Sequence, residues 1–119
     1  MRNISIKELT DWILVNRRGE AFKGYAPNKI SNEIKSSIAS NVFAFNYDKH
    51  ECITGIVCGE KLEDGHYIII HDILTIEKGT MKKFMQFYLS LYPDWPIIAK
   101  RNGKLTTYYN PTKLERKMK

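Results

Sequence analysis

Three lysines surround a short glycine-containing turn that precedes the most regular helical pattern of the sequence. Lys78, Lys82 and Lys83 flank the predicted start of this helix, and residues 79–81 form the turn itself. Cations at the positive end of a helix dipole are disfavoured by about 0.3–1 kcal/mol each, and an anion would relieve that cost. Free amide groups at a helix start also suit a phosphate. The alternative interpretation is a solvated helix end whose lysines face water.

A polar pair, His71 and Asp72, interrupts an otherwise apolar predicted strand at residues 66–74. Burial of such groups without partners would be costly. The pair therefore supplies the best candidates for a base that takes a proton from an amine. Neighbouring strand residues face opposite ways, so at most one of them points into a given cleft. Alternatively, His71 is a hydrogen-bonded core residue and Asp72 caps the following turn.

The positive charge is concentrated in the last fifth of the chain. Residues 97–119 contain seven basic residues and one acidic residue, whereas residues 1–96 contain 12 of each, so the net charge of +6 arises there. Such a patch attracts nucleic acid, a phosphorylated cofactor or an acidic protein surface. A tail that only keeps the protein soluble is the alternative. The candidates for nucleic-acid binding lie on a predicted hairpin tip and a short last helix: Lys100, Arg101, Lys104, Lys113, Arg116 and Lys117.

No helix-turn-helix, zinc-finger or aromatic sheet motif accompanies these basic residues, so we expect phosphate binding without sequence-specific reading. Cys52 and Cys58 lie six residues apart in a strand predicted at 51–58. At about 3.3 Å per residue they would be about 20 Å apart, too far for a disulfide. Neither they nor His50 and His66 have metal-ligand spacing. We therefore expect buried free thiols and no metal site.

Two helices are predicted before any strand. The capping-box sequence Ser5-Ile6-Lys7-Glu8 starts the first, which should run to about residue 16. Pro27 and Asn28 start the second, whose isoleucines at four-residue intervals from 30 to 38 form a narrow apolar stripe ending near residue 40. The third helix ends at Pro93 and has one apolar side: Met81, Phe84, Met85, Tyr88, Leu91 and Tyr92.

The middle of the chain predicts a three-stranded antiparallel meander. Its strands are expected at residues 41–47, 51–58 and 66–74, with hairpin connections at 47–50 and 60–65. The third strand is apolar on both faces and should lie centrally. Strands at 96–101 and 104–109 flank an Asn-Gly turn. A short basic helix should then start at Asn110-Pro111, with Leu114 and Met118 on one stripe.

A chain of 119 residues with 43% hydrophobic content should form one domain spanning residues 1–119. The longest apolar stretches, such as residues 67–70, are far shorter than the roughly 20 residues needed to cross a bilayer, and no signal segment is apparent. We therefore expect a cytoplasmic protein without a membrane partner.

The order of elements resembles the GNAT superfamily of N-acetyltransferases over roughly residues 4–110. A long strand feeds a helix through a short glycine turn, Ile73-Leu74-Thr75-Ile76-Glu77-Lys78-Gly79-Thr80-Met81, as at the acyl-CoA site of that family. The family loop motif is Arg/Gln-x-x-Gly-x-Gly/Ala; its defining positions are occupied here by Ile76, Gly79 and Met81, of which Gly79 matches. The C-terminal residues are similar to compact, uncharacterised phage-encoded members, some of whose relatives modify DNA.

The resemblance implies an α+β fold of α/β/α layers, with two N-terminal helices, a central mixed and mostly antiparallel sheet, a helix after the third strand, and a C-terminal hairpin and short helix. It implies that acetyl-CoA or another acyl-CoA binds where the strand splays from its neighbour. Tyr108 and Tyr109 lie near where the family places a tyrosine that protonates the departing thiolate. The implied cofactor contacts are Leu74, Gly79, Thr80, Met81, Lys82 and Asn110, although Asn110 also fits a helix cap.

Two functions follow from these residues. The first is an N-acyltransferase that moves an acyl group from acyl-CoA to an amine, for which a nucleic acid or a protein bound to the basic tail is one candidate carrier. The second is a non-catalytic accessory or virion protein of phage type that binds nucleic acid or a protein partner through its C-terminal patch. Such a protein would occur in the host cytoplasm or in the virion.

Overall fold

The computed structural model describes residues 4–62, 67–101 and 104–109, with the main chain alone at 100, 101 and 104–109. Helices and strands follow one another in the predicted order. The helices are α1 (Ile6–Asn16), α2 (Pro27–Ala39) and α3 (Thr80–Leu91). The strands are β1 (Ala44–Tyr47), β2 (Ile53–Leu62), β3 (Tyr67–Thr75), β4 (Ile97–Arg101) and β5 (Lys104–Tyr109).

The first two helices begin and end close to where the sequence predicts. The Ser5 hydroxyl accepts the amide of Glu8 at 3.1 Å and caps α1, as the capping-box sequence indicates. Pro27 lies in the first turn of α2, where its missing N–H removes no helical bond. The isoleucine stripe of α2 is only partly correct, because Ile30 and Ile34 are fully buried but Ile38 is 47% exposed.

The strands form one mixed sheet in the order β1-β2-β3-β4-β5. The β1, β2 and β3 strands are an antiparallel meander, and β3 is central, as predicted. The β4 strand pairs parallel to β3, and β5 returns antiparallel to β4. The parallel pair requires a crossover, which α3 provides. An α+β fold with a mixed, mostly antiparallel sheet is therefore confirmed.

Separate cores cover the two faces of the sheet. Alternate residues of β2 point to opposite cores, since Ile56 and Cys58 belong to one and Val57 to the other. The α1–α2 core consists of Leu9, Ile13, Phe22, Ile30, Ile34, Ile53, Ile56, Cys58 and Leu74. The α3 core consists of Val42, Val57, Ile68, Ile70, Phe84, Tyr88, Ile97 and Ala99. The helices thus lie in two layers around the sheet.

The predicted boundaries of the first two strands are partly wrong. The first strand begins at Ala44 rather than at residue 41, because Asn41 has a φ of 60° and the amide of Val42 bonds to the carbonyl of Ser37, which closes the end of α2. The second strand continues to Leu62, so the connection predicted at 60–65 is wrong for residues 60–62. Glu60 consequently lies within the sheet rather than in a loop.

Cys52 lies before β2, not within it, and is exposed, whereas Cys58 is buried. The expectation of two buried thiols therefore holds only for Cys58. The carboxylate of Asp48 accepts the amides of His50 and Cys52 at 2.8 and 3.0 Å. These bonds lower the pKa of Asp48 and close the turn between β1 and β2.

A β-bulge interrupts the pairing of β2 with β3 at His71. Cys58 pairs with Asp72 and Gly59 with Ile70, so His71 is an extra residue on β3. A side chain at position 59 would place its Cβ 2.3 Å from the carbonyl oxygen of Ile69, and only glycine fits there. The Gly59 amide instead bonds to the buried Ser37 hydroxyl at 3.0 Å, which anchors α2 to the bulge.

His66, the Asn102-Gly103 turn and the predicted last helix from Asn110 onwards lie outside the described residues. Among the described helices, each is too short or too polar to cross a membrane.

We expect the two tyrosines at the end of α3 to contribute unequally to stability. The hydroxyl of the fully buried Tyr88 donates to the carbonyl of Val42, whereas that of the partly buried Tyr92 donates to the carbonyl of Asn41 at 3.0 Å beside solvent. Tyr88→Phe leaves a buried carbonyl unpaired and should lower the free energy of unfolding by about 1–3 kcal/mol. Tyr92→Phe should cost about 0.5 kcal/mol or less, because water replaces the lost donor. Urea denaturation measures both, and equal losses would contradict this packing.

Candidate functional site

The parallel strands β3 and β4 pair only over their first residues. Ile68, Ile69 and Ile70 pair with Ile97, Ile98 and Ala99, and the register ends there. The rest of β3, residues 71–75, therefore has no strand partner on its β4 side within the described part of the chain, although β2 pairs with its other side. Main-chain N–H and C=O groups without a strand partner are available to bond to water or to a ligand. We call this place, where β3 continues beyond its pairing with β4, the strand cleft, and we treat it as the first candidate site.

The α3 helix begins beside the end of β3, at Gly79. This residue has a φ of 91°, a left-handed conformation that favours glycine, and its Cα faces open space, since an added Cβ would meet no atom within 4 Å. The Thr80 amide makes a long bond to the carbonyl of Glu77 at 3.4 Å. Within the described residues, the amides of Met81 and Lys82 have no acceptor. The turn is thus not blocked by side chains, and it offers main-chain donors.

Thr80 is the residue of this turn that packs inward. It is 2% exposed, and a Cβ added at Gly55 of β2 would lie 2.6 Å from its methyl carbon. The start of α3 is therefore fixed against β2 by the absence of a side chain at Gly55. The surrounding lysines, Lys78, Lys82 and Lys83, are all exposed. Leu74 is buried in the α1–α2 core, so only its main chain could contact a cofactor.

The parallel pairing brings further positive charge to this end of the sheet. Since β3 and β4 run in the same direction, the basic hairpin residues Lys100, Arg101 and Lys104 lie at the same end as Gly79. A guanidinium nitrogen of Arg18, from the connection between α1 and α2, donates to the carbonyl of Thr75 at 2.7 Å. Lysines and arginines distant in sequence are therefore collected at one end of the sheet, which we call the basic end. This arrangement favours an anionic partner.

His71 lies at the opening of the strand cleft. As the bulge residue it is exposed, and its Nε2 lies 3.2 Å from the Glu60 carboxylate. The interpretation of His71 as a buried core residue is thus wrong, because the bulge places it at the surface. A carboxylate beside one imidazole nitrogen favours the proton there and leaves the other nitrogen able to accept a proton. Sequence reasoning missed Glu60, because it was assigned to a loop.

Asp72 is buried between the sheet and α2. It is 7% exposed, and its Oδ1 accepts the amide of Phe22 at 2.8 Å. Asp72 therefore binds the connection between α1 and α2. The interpretation that it caps the turn after β3 is wrong. His71 and Asp72 do lie in different environments, as expected, but the bulge rather than simple alternation separates them.

Asp72 has an acidic neighbour, Glu33 of α2, whose proximity was not predicted. Burial, followed by the hydrogen bond to Asp72 and its charge, raises the pKa of Glu33 to about 9. The sequence does contain a signal for this position. Glu33 lies three residues after Ile30 and four before Ser37, and both of these are buried, so it shares the inward side of α2. Nearby Tyr25 also has a raised pKa, first because of burial and then because of Asp72.

The remaining candidates are only partly placed. Tyr109 pairs with Ile97, and the register skips Tyr108, which is the extra residue of a second bulge. Both lie at the closed end of the β3–β4 pair, about 20 Å along the sheet from the end of β3 at ~3.3 Å per residue. The structure therefore separates them from Gly79 but leaves them near the vertex of the strand cleft. Asn110, Lys113, Arg116 and Lys117 lie outside the described residues.

The described residues contain no cluster of three or more His, Cys, Asp or Glu side chains that could hold a metal ion. Burial raises the pKa of the Cys58 thiol, so this cysteine stays protonated and unreactive in the folded protein. A shallow apolar groove of about 490 Å³ lies elsewhere, between the ends of α2 and α3, and we call it the α2–α3 groove. Ile38, Phe43, Phe87 and Leu91 line it.

The chain matches none of the known protein-family models, none of the curated proteins and none of the solved structures with which it was compared. Function is therefore inferred from the residues and geometry of the chain itself.

Proposed function

We propose that the protein is a GNAT-like N-acyltransferase that moves an acyl group from acetyl-CoA or another acyl-CoA to an amine. The observation that carries this proposal is the strand cleft. Pairing between the parallel strands ends after Ile70 and Ala99, and β3 leads on to the open turn at Gly79, so the strand cleft would offer a polar wall and an anion-binding end. Such a site suits an elongated ligand with phosphates at one end.

The basic end would hold the phosphates of the cofactor. The free amides of Met81 and Lys82 and the positive end of the α3 dipole can bind a pyrophosphate, and the exposed side chain of Lys82 adds charge. From there, the amide groups of the pantetheine arm could pair with the unpaired edge of β3 at residues 71–75, as another strand would. The thioester would then lie near His71, where the strands meet.

His71 is the residue best placed to accept a proton during the transfer. The amine nitrogen attacks the thioester carbonyl, the new C–N bond forms, and the C–S bond breaks as the thiolate leaves. With Nε2–H donating to Glu60, Nδ1 of His71 would take the proton released by the amine. Tyr108 or Tyr109 would return a proton to the thiolate, since their main chain lies near the vertex of the strand cleft. Asp72 is too buried for a direct role.

The acceptor amine would be carried by a nucleic acid or a protein that binds the basic end. The gathering of Arg18, Lys78 and the hairpin residues near one end favours a polyanion as the bound macromolecule. The same observation supports a second candidate function, a phage-type accessory or virion protein that binds nucleic acid without catalysis. The two functions differ in whether the strand cleft takes acyl-CoA.

Acetyl-CoA should raise the melting temperature of the protein. A ligand that binds only the folded state at ten times its dissociation constant contributes about 1.4 kcal/mol, or roughly 5 °C for a domain of this size. Lys82→Glu should reduce this shift by more than half, because it reverses a charge next to the phosphates. The matched control is Lys35→Glu on the exposed side of α2, which should leave the shift unchanged. Differential scanning fluorimetry measures all three proteins.

No shift at millimolar acetyl-CoA, or an equal loss in both variants, would contradict the acyltransferase proposal. If duplex or single-stranded DNA still raises the melting temperature, and the effect decreases steeply with salt, the non-catalytic function is favoured instead.

His71→Gln should slow the release of CoA from acetyl-CoA in the presence of primary alkylamines by about 100-fold, because general-base catalysis typically contributes 10²–10⁴-fold. The shift in melting temperature with acetyl-CoA should remain, since glutamine removes the base without altering the phosphate site. His50→Gln, at an exposed histidine of the β1–β2 turn, is the control and should not change the rate. An unchanged rate in His71→Gln would exclude His71 as the base.

A further inference from the structure

Two carboxyl groups from different layers meet beneath α2. Glu33 projects from α2, and Asp72 belongs to the part of β3 that follows the bulge. Asp72 Oδ2 and Glu33 Oε2 are both shielded from solvent, and neither has a hydrogen-bond partner within the described residues when both carboxyl groups are ionised. The Tyr25 hydroxyl also lies beside Asp72, and its interaction with that carboxylate contributes to the raised pKa of Tyr25. Asp72 is itself more than nine-tenths buried. Two neighbouring carboxylates whose buried oxygens lack a donor would repel each other strongly.

A single proton resolves this conflict. If Glu33 is protonated, its Oε2–H can donate to Asp72 Oδ2, and both otherwise orphaned oxygens are paired. We place the proton on Glu33 because Asp72 Oδ1 already accepts the Phe22 amide, so a hydrogen bond from Glu33 to Oδ2 pairs both oxygens of Asp72. The pair then carries one negative charge rather than two.

The charged and titratable groups around the pair come from every element packed against it. Lys29 of α2 is a neighbouring cation whose charge opposes the rise in the pKa of Glu33, and its Nζ also lies 4.1 Å from the centre of the Tyr25 ring. Tyr25 of the connection and Cys58 of β2 are the other titratable neighbours. Arg17 bonds to the carbonyls of Phe22 and Tyr25 rather than to a carboxylate. The shared proton is therefore not replaced by a salt bridge among these groups.

We propose that Glu33 and Asp72 share one proton, and that this proton latches α2 and the connection between α1 and α2 onto β3. Among the described residues, two hydrogen bonds tie the connection, residues 17–26, to β3, and the Tyr25 hydroxyl also interacts with Asp72. Arg18 donates to the Thr75 carbonyl, and Asp72 accepts the Phe22 amide. The second tie depends on the protonation of the pair, because a second negative charge would push Glu33 and its helix away from Asp72. The latch does not rest on the proposed acyltransferase activity.

The direction of the pH effect follows from the two states of Glu33. In the closed protein, burial first and Asp72 second raise its pKa to about 9, whereas in an opened chain its pKa returns to the ordinary value of 4.5. The closed state is thus fully favoured below pH 4.5 and loses its advantage as the pH rises towards 9. Between these limits the opening equilibrium constant should increase by up to about tenfold per pH unit. The partial exposure of Glu33 makes this an upper limit.

Hydrogen exchange of the Phe22 amide tests the latch, because that amide is bonded to Asp72 itself. Its protection factor, corrected for the intrinsic exchange rate, should fall severalfold for each unit between pH 6 and pH 8 in the unmodified protein. Glu33→Gln keeps a donor to Asp72 but cannot ionise, so its protection factor should be independent of pH. Glu77→Gln removes the same charge at an exposed position after β3 and should behave like the unmodified protein.

A pH-independent protection factor in the unmodified protein, or the same slope in Glu33→Gln, would overturn the proposal. A direct titration keeps the test valid if Glu33→Gln fails to fold. In protein labelled with ¹³C-carboxyl glutamate, the Glu33 resonance should titrate near pH 9. Titration near pH 4.5 would show that no proton is shared and would also overturn it.

Discussion

The extra residue at His71 is the constraint on which the arrangement of both candidate sites depends. Before the bulge, Ile68 and Ile70 of β3 contribute to the α3 core, and after it Leu74 contributes to the α1–α2 core. The shift in register turns Asp72 towards α2 and leaves His71 at the surface beside Glu60. Gly59 makes the bulge possible, because no Cβ fits against the carbonyl of Ile69.

The pairing with β4 ends at the same point, after Ile70. One irregular position thus separates three environments along a single strand: a packed core, an exposed histidine and carboxylate pair, and a buried acidic pair. Bulges are common next to functional sites because they redirect side chains. In this protein the bulge places the proposed proton acceptor and the proposed latch on adjacent residues.

The basic end and the acidic pair beneath α2 differ in the sign of their uncompensated charge. At the basic end, amides without an acceptor among the described residues lie beside three exposed lysines, the first turn of α3 contains no acidic residue, and the proposed ligand would supply negative charge. Beneath α2, by contrast, two acidic groups are crowded together, and a proton supplies the missing positive charge. Both are local conflicts of charge, and such conflicts mark places where a protein has a role beyond packing.

Local patterns in the sequence predicted where the helices and strands lie, but they did not predict the bulges within the strands. Ser5 and Pro27 mark helix starts by hydrogen-bonding chemistry that depends only on neighbouring residues, and both predictions are confirmed. The bulge at His71 depends on a glycine opposite it in another strand, so no pattern within β3 could reveal it.

The missed partners have the same origin. Glu60 was placed in a loop because charged residues end most strands, yet β2 continues as far as Leu62. Glu33 received no role from the sequence, because only the isoleucines of α2 were assigned to a face, although the spacing of Glu33 from Ile30 and Ser37 places it towards the sheet. Contacts across 39 residues of sequence, such as that of Glu33 with Asp72, arise only when the sheet and helices are packed.

The most direct test of the central claim is a map of backbone amide chemical shifts as coenzyme A is added to ¹⁵N-labelled protein. We expect the largest changes at Gly79, Met81 and Lys82, and along residues 71–75 of β3, because these amides would contact the pyrophosphate and the pantetheine arm. Changes confined to the α2–α3 groove, or no changes at millimolar coenzyme A, would contradict the assignment of the strand cleft as an acyl-CoA site.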